Sequence, residues 1–376
     1  MSGEPDKPSE QIIQTEFEKL KETVSTYFQI EEALIEHGIP TFYLKQPQET
    51  KQPFLKLLKT LEPKGLMAVL RKSNGKVVLK ILQKPPSNPS NISINWMLFF
   101  ATIATTFITG YILSEDFTNP LIGGATFTIA IMAVLGLHEI GHKLTANKEG
   151  IEATPPYFIP GPPPFRGFLG IGTFGAVIMQ KSLPPNKDSL FDIGVSGPIF
   201  GFIISAIATV IGLHFSAYDW IPPGEPTLPM LFFFRIALLF ASPQGPIPSQ
   251  PEPNYELAIR LHPVAFAGWV GLFVTMLNLM PVAMLDGGHV ARSLFGERAR
   301  AVLTVLSIVF LAVVSWPMAL FVMFMSMFRH PGPLDDVSGL SRSRKVLLVV
   351  LAVIFFLSSF LYDLLYAFIE FLTGLF

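Results

Sequence analysis

A bilayer core of roughly 30 Å takes about 20 helical residues to cross, and this 376-residue chain contains six nearly uncharged runs of about that length. They are residues 95–113, 120–142, 193–215, 261–281, 301–328 and 346–362 or beyond. Backbone placed in lipid must satisfy its own hydrogen bonds, so runs of this kind predict helices. The expected fold is a polytopic α-helical membrane protein with about six transmembrane helices. Two features raise the possible count to eight. Residues 228–241 are apolar but short and interrupted by Arg235, which fits a re-entrant or interfacial segment, and Pro317 can divide the fifth run. A composition that is 50% hydrophobic and 15% charged is that of a membrane chain rather than a soluble enzyme.

Residues 1–84 differ from the rest. They hold most of the lysines and predict a small soluble α+β domain, joined by a Pro/Ser/Asn linker at 85–93 to a transmembrane domain at 94–376. Within it, 10–37 predicts one or two amphipathic helices, 41–44 a strand and 53–61 a helix; 66–72 and 76–82 predict a hairpin around Asn74-Gly75. The first residues have no apolar centre, so the chain is expected to open with this soluble region rather than a signal peptide. Arg71, Lys72, Lys76, Lys80 and Lys84 precede the first run. Lys143, Lys148, Arg166, Lys181 and Lys187 lie between the second and third, and Arg292, Arg298 and Arg300 between the fourth and fifth. With alternating spans these regions share one face, cytoplasmic by the positive-inside rule. The basic loop 329–345 falls on the other face unless the fifth run is divided.

A formal net charge of -1 leaves no basic field for nucleic acid. The absence of cysteine removes disulfides, thiolate catalysis and Cys-based zinc sites, leaving His, Asp and Glu as metal ligands. His138-Glu139-Ile140-Gly141-His142 is an HExxH motif at the end of the second run, preceded by eighteen uncharged residues, 120–137. Residues four apart share a helix face, so both imidazoles can reach one zinc ion while Glu139 stands beside it as general base. A chain with 7 His is expected to contain this motif by chance on the order of 0.01 times. The bland alternative pairs Glu139 with Lys143 at i+4 on a polar helix end.

Tetrahedral zinc needs a third protein ligand. Asp286 is the candidate: it follows the fourth run, Pro281 interrupts helical bonding before it, and Gly287-Gly288 lets the chain approach closely. A capping aspartate at a helix boundary fits the same spacing.

These segments together, HEIGH and then Asn278-x-x-Pro281-x-x-x-x-Asp286-Gly287, resemble the site-2 protease family of intramembrane zinc metalloproteases. Gly172-Thr-Phe-Gly175-Ala, Phe191-Asp-Ile-Gly194-Val-Ser-Gly197-Pro198 and Leu285-Asp286-Gly287-Gly288-His289 resemble its archaeal, cyanobacterial and plastid-type branch. The resemblance covers roughly residues 95–296. It implies one zinc ion held by His138, His142 and Asp286, with Glu139 activating water, and substrates that are transmembrane segments of other proteins in the lipid bilayer. It also implies that Asn278 hydrogen-bonds the substrate backbone or an oxyanion, although an interhelical hydrogen bond is the plainer role. Residues 170–180, with Gly172 and Gly175, resemble the family's extended segment beside the active site. Its free edge can take a substrate strand, while the same alternation also reads as a surface hairpin. His289 is either an outer partner of the site, an alternative ligand or a solvated helix-end histidine. His37, His214, His262 and His330 read as structural. Neither a PDZ nor a CBS domain is legible. Other classes remain open: a membrane zincin with a downstream Glu ligand, a zinc-binding transport protein, and a catalytically silent membrane chaperone.

Overall fold

The computed structural model describes residues 10–86, 90–115, 117, 119–165, 170–225, 227–282, 284–314, 316–326 and 332–373. Arg166, Arg329, His330 and linker residues 87–89 lie outside them. The molecule is mostly helical with a small β-sheet region, and its contacts divide it into two compact units.

The first unit comprises Met1–Asn88, Leu183–Leu190 and Pro331–Ser341. Its elements are α1 (Glu10–Ser25), β1 (Ile30–Glu36), β2 (Ile39–Leu44), α2 (Lys51–Leu61), β3 (Leu66–Ser73) and β4 (Lys76–Gln83), with the sheet in the order β1-β2-β4-β3. The hairpin expected around Asn74-Gly75 is present, with φ of 50° and 83° at those residues, the pairing for a two-residue turn. Helix over the whole of 10–37 is not what forms. His37 and Gly38 also take positive φ, 52° and 78°, and turn β1 back onto β2, so the second half of that stretch is strand. Phe17, Val24 and Phe28 from the α1 side bury against Phe42, Leu44, Phe54, Leu57, Leu70 and Leu79, with Phe17 stacked on Phe42 at 5.7 Å.

The two later segments extend this sheet. Leu70 N–H donates to the Leu334 carbonyl (2.9 Å) and Asp336 N–H to the Leu70 carbonyl (3.1 Å). Leu334 and Asp335 N–H then donate to the carbonyls of Pro184 (2.8 Å) and Pro185 (3.0 Å). Asp188 completes the join: its carboxylate accepts from Lys51 Nζ (3.0 Å) and from the Ser341 N–H (2.9 Å).

The second unit comprises Pro89–Ser182, Phe191–His330 and Arg342–Phe376. Its elements are α3 (Ile92–Leu113), α4 (Pro120–Lys148), β5 (Tyr157–Pro160), β6 (Thr173–Val177), α5 (Lys187–His214, whose first turn groups with the other unit), β7 (Ala217–Ile221), α6 (Phe232–Ala237), β8 (Glu256–Arg260), α7 (Pro263–Leu279), α8 (Asp286–Val314), α9 (Trp316–Ser326), α10 (Arg342–Leu357) and α11 (Leu361–Thr373). Among the described residues α3, α4 and α5 are long and apolar enough to cross a membrane. The fourth run forms the shorter α7, of 17 residues. The fifth divides between α8 and α9, with Pro317 in the first turn of α9, and α8 itself bends at Gly296 (φ 77°). Residues 228–241 form only the short α6.

α4 starts where Asn119 accepts the Leu121 N–H (2.9 Å) and Pro120 fits the first helical turn. Gly110 of α3 packs closely on α4 beside Gly123 and Gly124: a Cβ at Gly110 would run into Phe127, and one at Gly123 into Ser114. Such small-residue contacts bring helices together without a hydrophobic driving force. Trp96, Met97 and Phe100 on α3 remain exposed, an apolar surface suited to lipid rather than water.

Candidate metal centre

His138 and His142 stand one turn apart on α4, both buried, with Glu139 buried between them. Asp286 is the first residue of α8 and arrives from another part of the chain. α7 ends at Leu279, and the chain folds back so tightly that a Cβ on Gly287 would overlap the carbonyls of Leu279 and Met280. The glycine permits the reversal that turns the Asp286 carboxylate toward α4.

The three side chains converge. His138 Nε2 lies 3.3 Å from Asp286 Oδ2, His142 Nε2 lies 3.2 Å from Asp286 Oδ1, and the two Nε2 atoms are 3.1 Å apart. His142 Nδ1 lies 2.9 Å from the Ile193 carbonyl, which can only accept. The proton is therefore on Nδ1, and the Nε2 lone pair faces inward. Metal–ligand bonds of about 2.0–2.1 Å in tetrahedral array place donor atoms about 3.3 Å apart. The observed separations match that spacing, so the donor set fits a single small divalent cation of the zinc type. Among the described residues no glutamate joins the cluster.

α5 provides the floor. A Cβ at Gly197 would run into the His142 ring, one at Gly201 would lie 2.9 Å from His138 Nδ1, and one at Gly194 would lie 2.8 Å from the Asp286 carbonyl. Three glycines spaced three and four apart thus make a bare helix face on which all three candidate ligands rest. Gly194 and Gly197 stand in the sequence only as parts of a motif, and Gly201 escapes sequence reading altogether. The available signal is small-residue spacing on a helix following HExxH.

The remaining candidates separate. Asn278, near the end of α7, places Nδ2 3.3 Å from His138 Nε2 and belongs to the site's edge. His289 sits one turn beyond Asp286, against Gly194, outside the converging group. Gly172 (φ 74°) packs on α3, where its carbonyl accepts from Thr105 Oγ1 (2.6 Å). Gly175 (φ 106°) lies within β6, which pairs with β5. Neither glycine is among the converging residues; Gly175 lies within the strand and Gly172 immediately precedes it. β6 lies against both α3 and α4. Lys143 does not pair with Glu139; its ammonium donates to the Ala153 carbonyl. His262 caps α7, accepting the Val264 N–H (3.3 Å), and His37 sits in the β1–β2 turn.

Fold and site together define a helical protein with membrane-length helices and a His-His-Asp centre beside a buried glutamate. Residues 126–321, just over half of the chain, match the model for peptidase family M50, and the chain belongs to that family, the site-2 protease group. A protein of Oryza sativa subsp. japonica named Probable zinc metalloprotease EGY1, chloroplastic, is 31% identical over 229 residues, covering 58% of this chain and 38% of its own length. The Oryza sativa subsp. indica protein named Probable zinc metalloprotease EGY3, chloroplastic, is 30% identical over 290 residues, covering 69% and 47%. An Arabidopsis thaliana protein named as EGY1 is 27% identical over 223 residues, covering 58% and 39%. The chain spans less than half the length of these relatives. No solved structure gives a significant match to it.

Proposed function

We propose that this chain is a zinc metalloendopeptidase that cuts peptide bonds within or near the transmembrane segments of other proteins. The observation that carries the reading is the convergence of His138, His142 and Asp286 at tetrahedral ligand spacing, beside a buried Glu139, on a membrane-length helix. The names of the plant relatives agree with it. When bound, zinc supplies Lewis acidity toward a peptide carbonyl and a water molecule. Glu139 takes the proton of the attacking water and passes it to the leaving amine. The Ile193 carbonyl fixes the His142 tautomer, and the Asn278 amide donates to the substrate backbone at the edge of the site. Among the described residues β6 has a partner strand on one edge only, so its other edge can receive a substrate unwound from its helix and lead it toward Glu139.

The chain is proposed to cross the bilayer several times, six by the apolar runs and seven where the fifth run is divided in two, with the centre near the cytoplasmic face. The three segments of the first unit hydrogen-bond to one another and so lie on one side of any membrane. The chain between them must then cross an even number of times. α3 and α4 satisfy this for the first interval, and the division between α8 and α9 allows it for the second.

The test is cleavage of a panel of transmembrane peptides by the zinc-loaded chain in lipid vesicles, beside Glu139→Gln. The variant is expected to keep its zinc and lose on the order of 10²- to 10⁴-fold in rate. A variant that binds zinc and cuts as well as its parent overturns the mechanism; a parent that binds zinc and cuts nothing points to the chaperone or transport reading.

A further inference from the structure

We propose that Asp192 and Arg344 are positioning residues for the metal centre, acting on His142 through the Ile193 carbonyl; the proposal rests on the zinc-binding role given to His138, His142 and Asp286 above. Both residues belong to the second unit. The guanidinium of Arg344, in the first turn of α10, meets the Asp192 carboxylate as a fork: Nε donates to Oδ1 (2.8 Å) and Nη2 to Oδ2 (2.5 Å). The two side chains are only 24% and 19% exposed. A shielded, bidentate pair of this kind fixes direction as well as distance. Asp192 immediately precedes Ile193, whose carbonyl accepts from His142 Nδ1 (2.9 Å) and from Ser196 Oγ (2.9 Å).

The stretch of α5 that carries this carbonyl is a poor helix by itself. Gly194, Gly197 and Pro198 follow directly, and glycine and proline are the weakest helix formers. Pro198 has no N–H and so removes the helical bond to the Gly194 carbonyl. Stiffer residues cannot replace the glycines, because a Cβ at Gly197 would meet the His142 ring and one at Gly194 the Asp286 carbonyl. Rigidity must come from outside the helix, and the fork from Arg344 applies it at the residue next to the anchoring carbonyl. The other partner is equally unsupported by its own helix. α10 opens with Arg342, Arg344 and Lys345 and no acid in its first turn, an arrangement the helix dipole opposes. Asp192 brings the compensating charge from α5. Arg344 lies beyond residues 126–321, the stretch that matches the family model, so α10 takes part in building a centre whose ligands all lie within that stretch.

The experiment measures the zinc affinity of the full chain in lipid vesicles, by competition with a chromophoric chelator, for Arg344→Met, Asp192→Asn, the double variant and Arg344→Lys. Each of the first two should lose about tenfold in affinity. The double variant should lose no more than the larger single loss, because the two side chains act as one unit. Arg344→Lys keeps the charge without the fork and should recover part of the loss. The visible spectrum of the cobalt-loaded chain should shift in Arg344→Met. Arg235→Met removes a comparable ion pair between α6 and α11, that of Arg235 with Asp363, and should keep the parental zinc affinity and cobalt spectrum even where it lowers the melting temperature. Parental zinc affinity in both single variants, or additive losses in the double, overturns the positioning role. An equal loss in Arg235→Met overturns it too, since the effect is then a general loosening of the helices. A parent that binds zinc and cuts no peptide overturns the hydrolytic reading alone, and a parent that takes up no zinc overturns the metal centre itself.

Discussion

Gly197→Ala adds one methyl group at the point where α5 carries the His142 ring, and the consequence can be worked from neighbouring atoms. The new Cβ would lie well inside van der Waals contact of Nε2, Cε1 and Cδ2 of that ring. The ring cannot slide along α5, because its Nδ1 is held at 2.9 Å by Ile193, one turn earlier on the same helix. Either the helix retreats, or the ring gives up both its anchor and its aim at Asp286. Overpacking of this kind costs about 1–3 kcal/mol, and loss of a ligand's orienting partner typically lowers metal affinity roughly 10- to 100-fold. The expected result is zinc affinity reduced about 100-fold, equivalent to about 2.7 kcal/mol, measured by competition with a chromophoric chelator. Two substitutions on the same helix calibrate it. Gly201→Ala, with its Cβ 2.9 Å from His138 Nδ1, should lose about tenfold. Gly212→Ala would clash with Ala265 backbone, away from the ligands, and should lower the melting temperature without changing zinc affinity. Unaltered zinc affinity in Gly197→Ala, or an equal loss in Gly212→Ala, would refute the claim that the bare face exists to seat the ligands.

Asp286→Ala should release zinc in the same assay while His289→Ala retains it, since only Asp286 belongs to the converging group; the reverse outcome would exchange their roles. In the first unit, Tyr43 Oη donates to Glu36 Oε1 (2.6 Å) and Lys80 Nζ to Glu36 Oε2 (3.0 Å), contacts that hold the Glu36 carboxyl below its usual 4.5 and push the Tyr43 phenol above 10.0. The Glu36 contribution to stability is therefore full above pH 4.5 and lost as pH falls through its lowered value; that of Tyr43 is full below pH 10.0 and lost as pH rises through its raised value. Tyr43→Phe should reduce both slopes in a thermal-melting series across pH, and identical profiles would rule the pair out as their source. Lys51→Met removes the ammonium from the Asp188 carboxylate and should destabilise the first unit by about 3 kcal/mol in a denaturant titration; no shift of the midpoint would show that the remaining contacts of Asp188 suffice. The chain has no cysteine, so single cysteines can report sidedness on a clean background: Lys64→Cys and Gly339→Cys should label from one face of sealed vesicles and Gly245→Cys from the other. Labelling of residues 64 and 339 from opposite faces would contradict the even number of crossings.

What the sequence discloses and what it hides follow the range of the interactions concerned. HExxH is legible because residues four apart share a helix face whatever surrounds them, and Asp286 because Pro281 and Gly287 mark a chain reversal in the sequence itself. The glycine floor is not, since Gly201 has meaning only once α5 is packed against α4. Residues 30–36, Ile-Glu-Glu-Ala-Leu-Ile-Glu, fit helical spacing as readily as a strand, and the decision rests with His37 and Gly38, whose positive φ makes a hairpin of them. The rungs at 184–185 and 334–336 are still less legible: so few residues, Pro184 and Pro185 among them, have no period, and 334–336 pairs only because β3 offers an edge, with 184–185 pairing in turn on it. Those rungs also bear on the difficulty posed by the basic loop 329–345. Counting spans cannot place that loop, because the count depends on whether Pro317 divides a run. In a chain that crosses a membrane, the hydrogen bond from Leu70 to Leu334 keeps residues 70 and 334 on one side without any count, since a strand cannot pair through a bilayer.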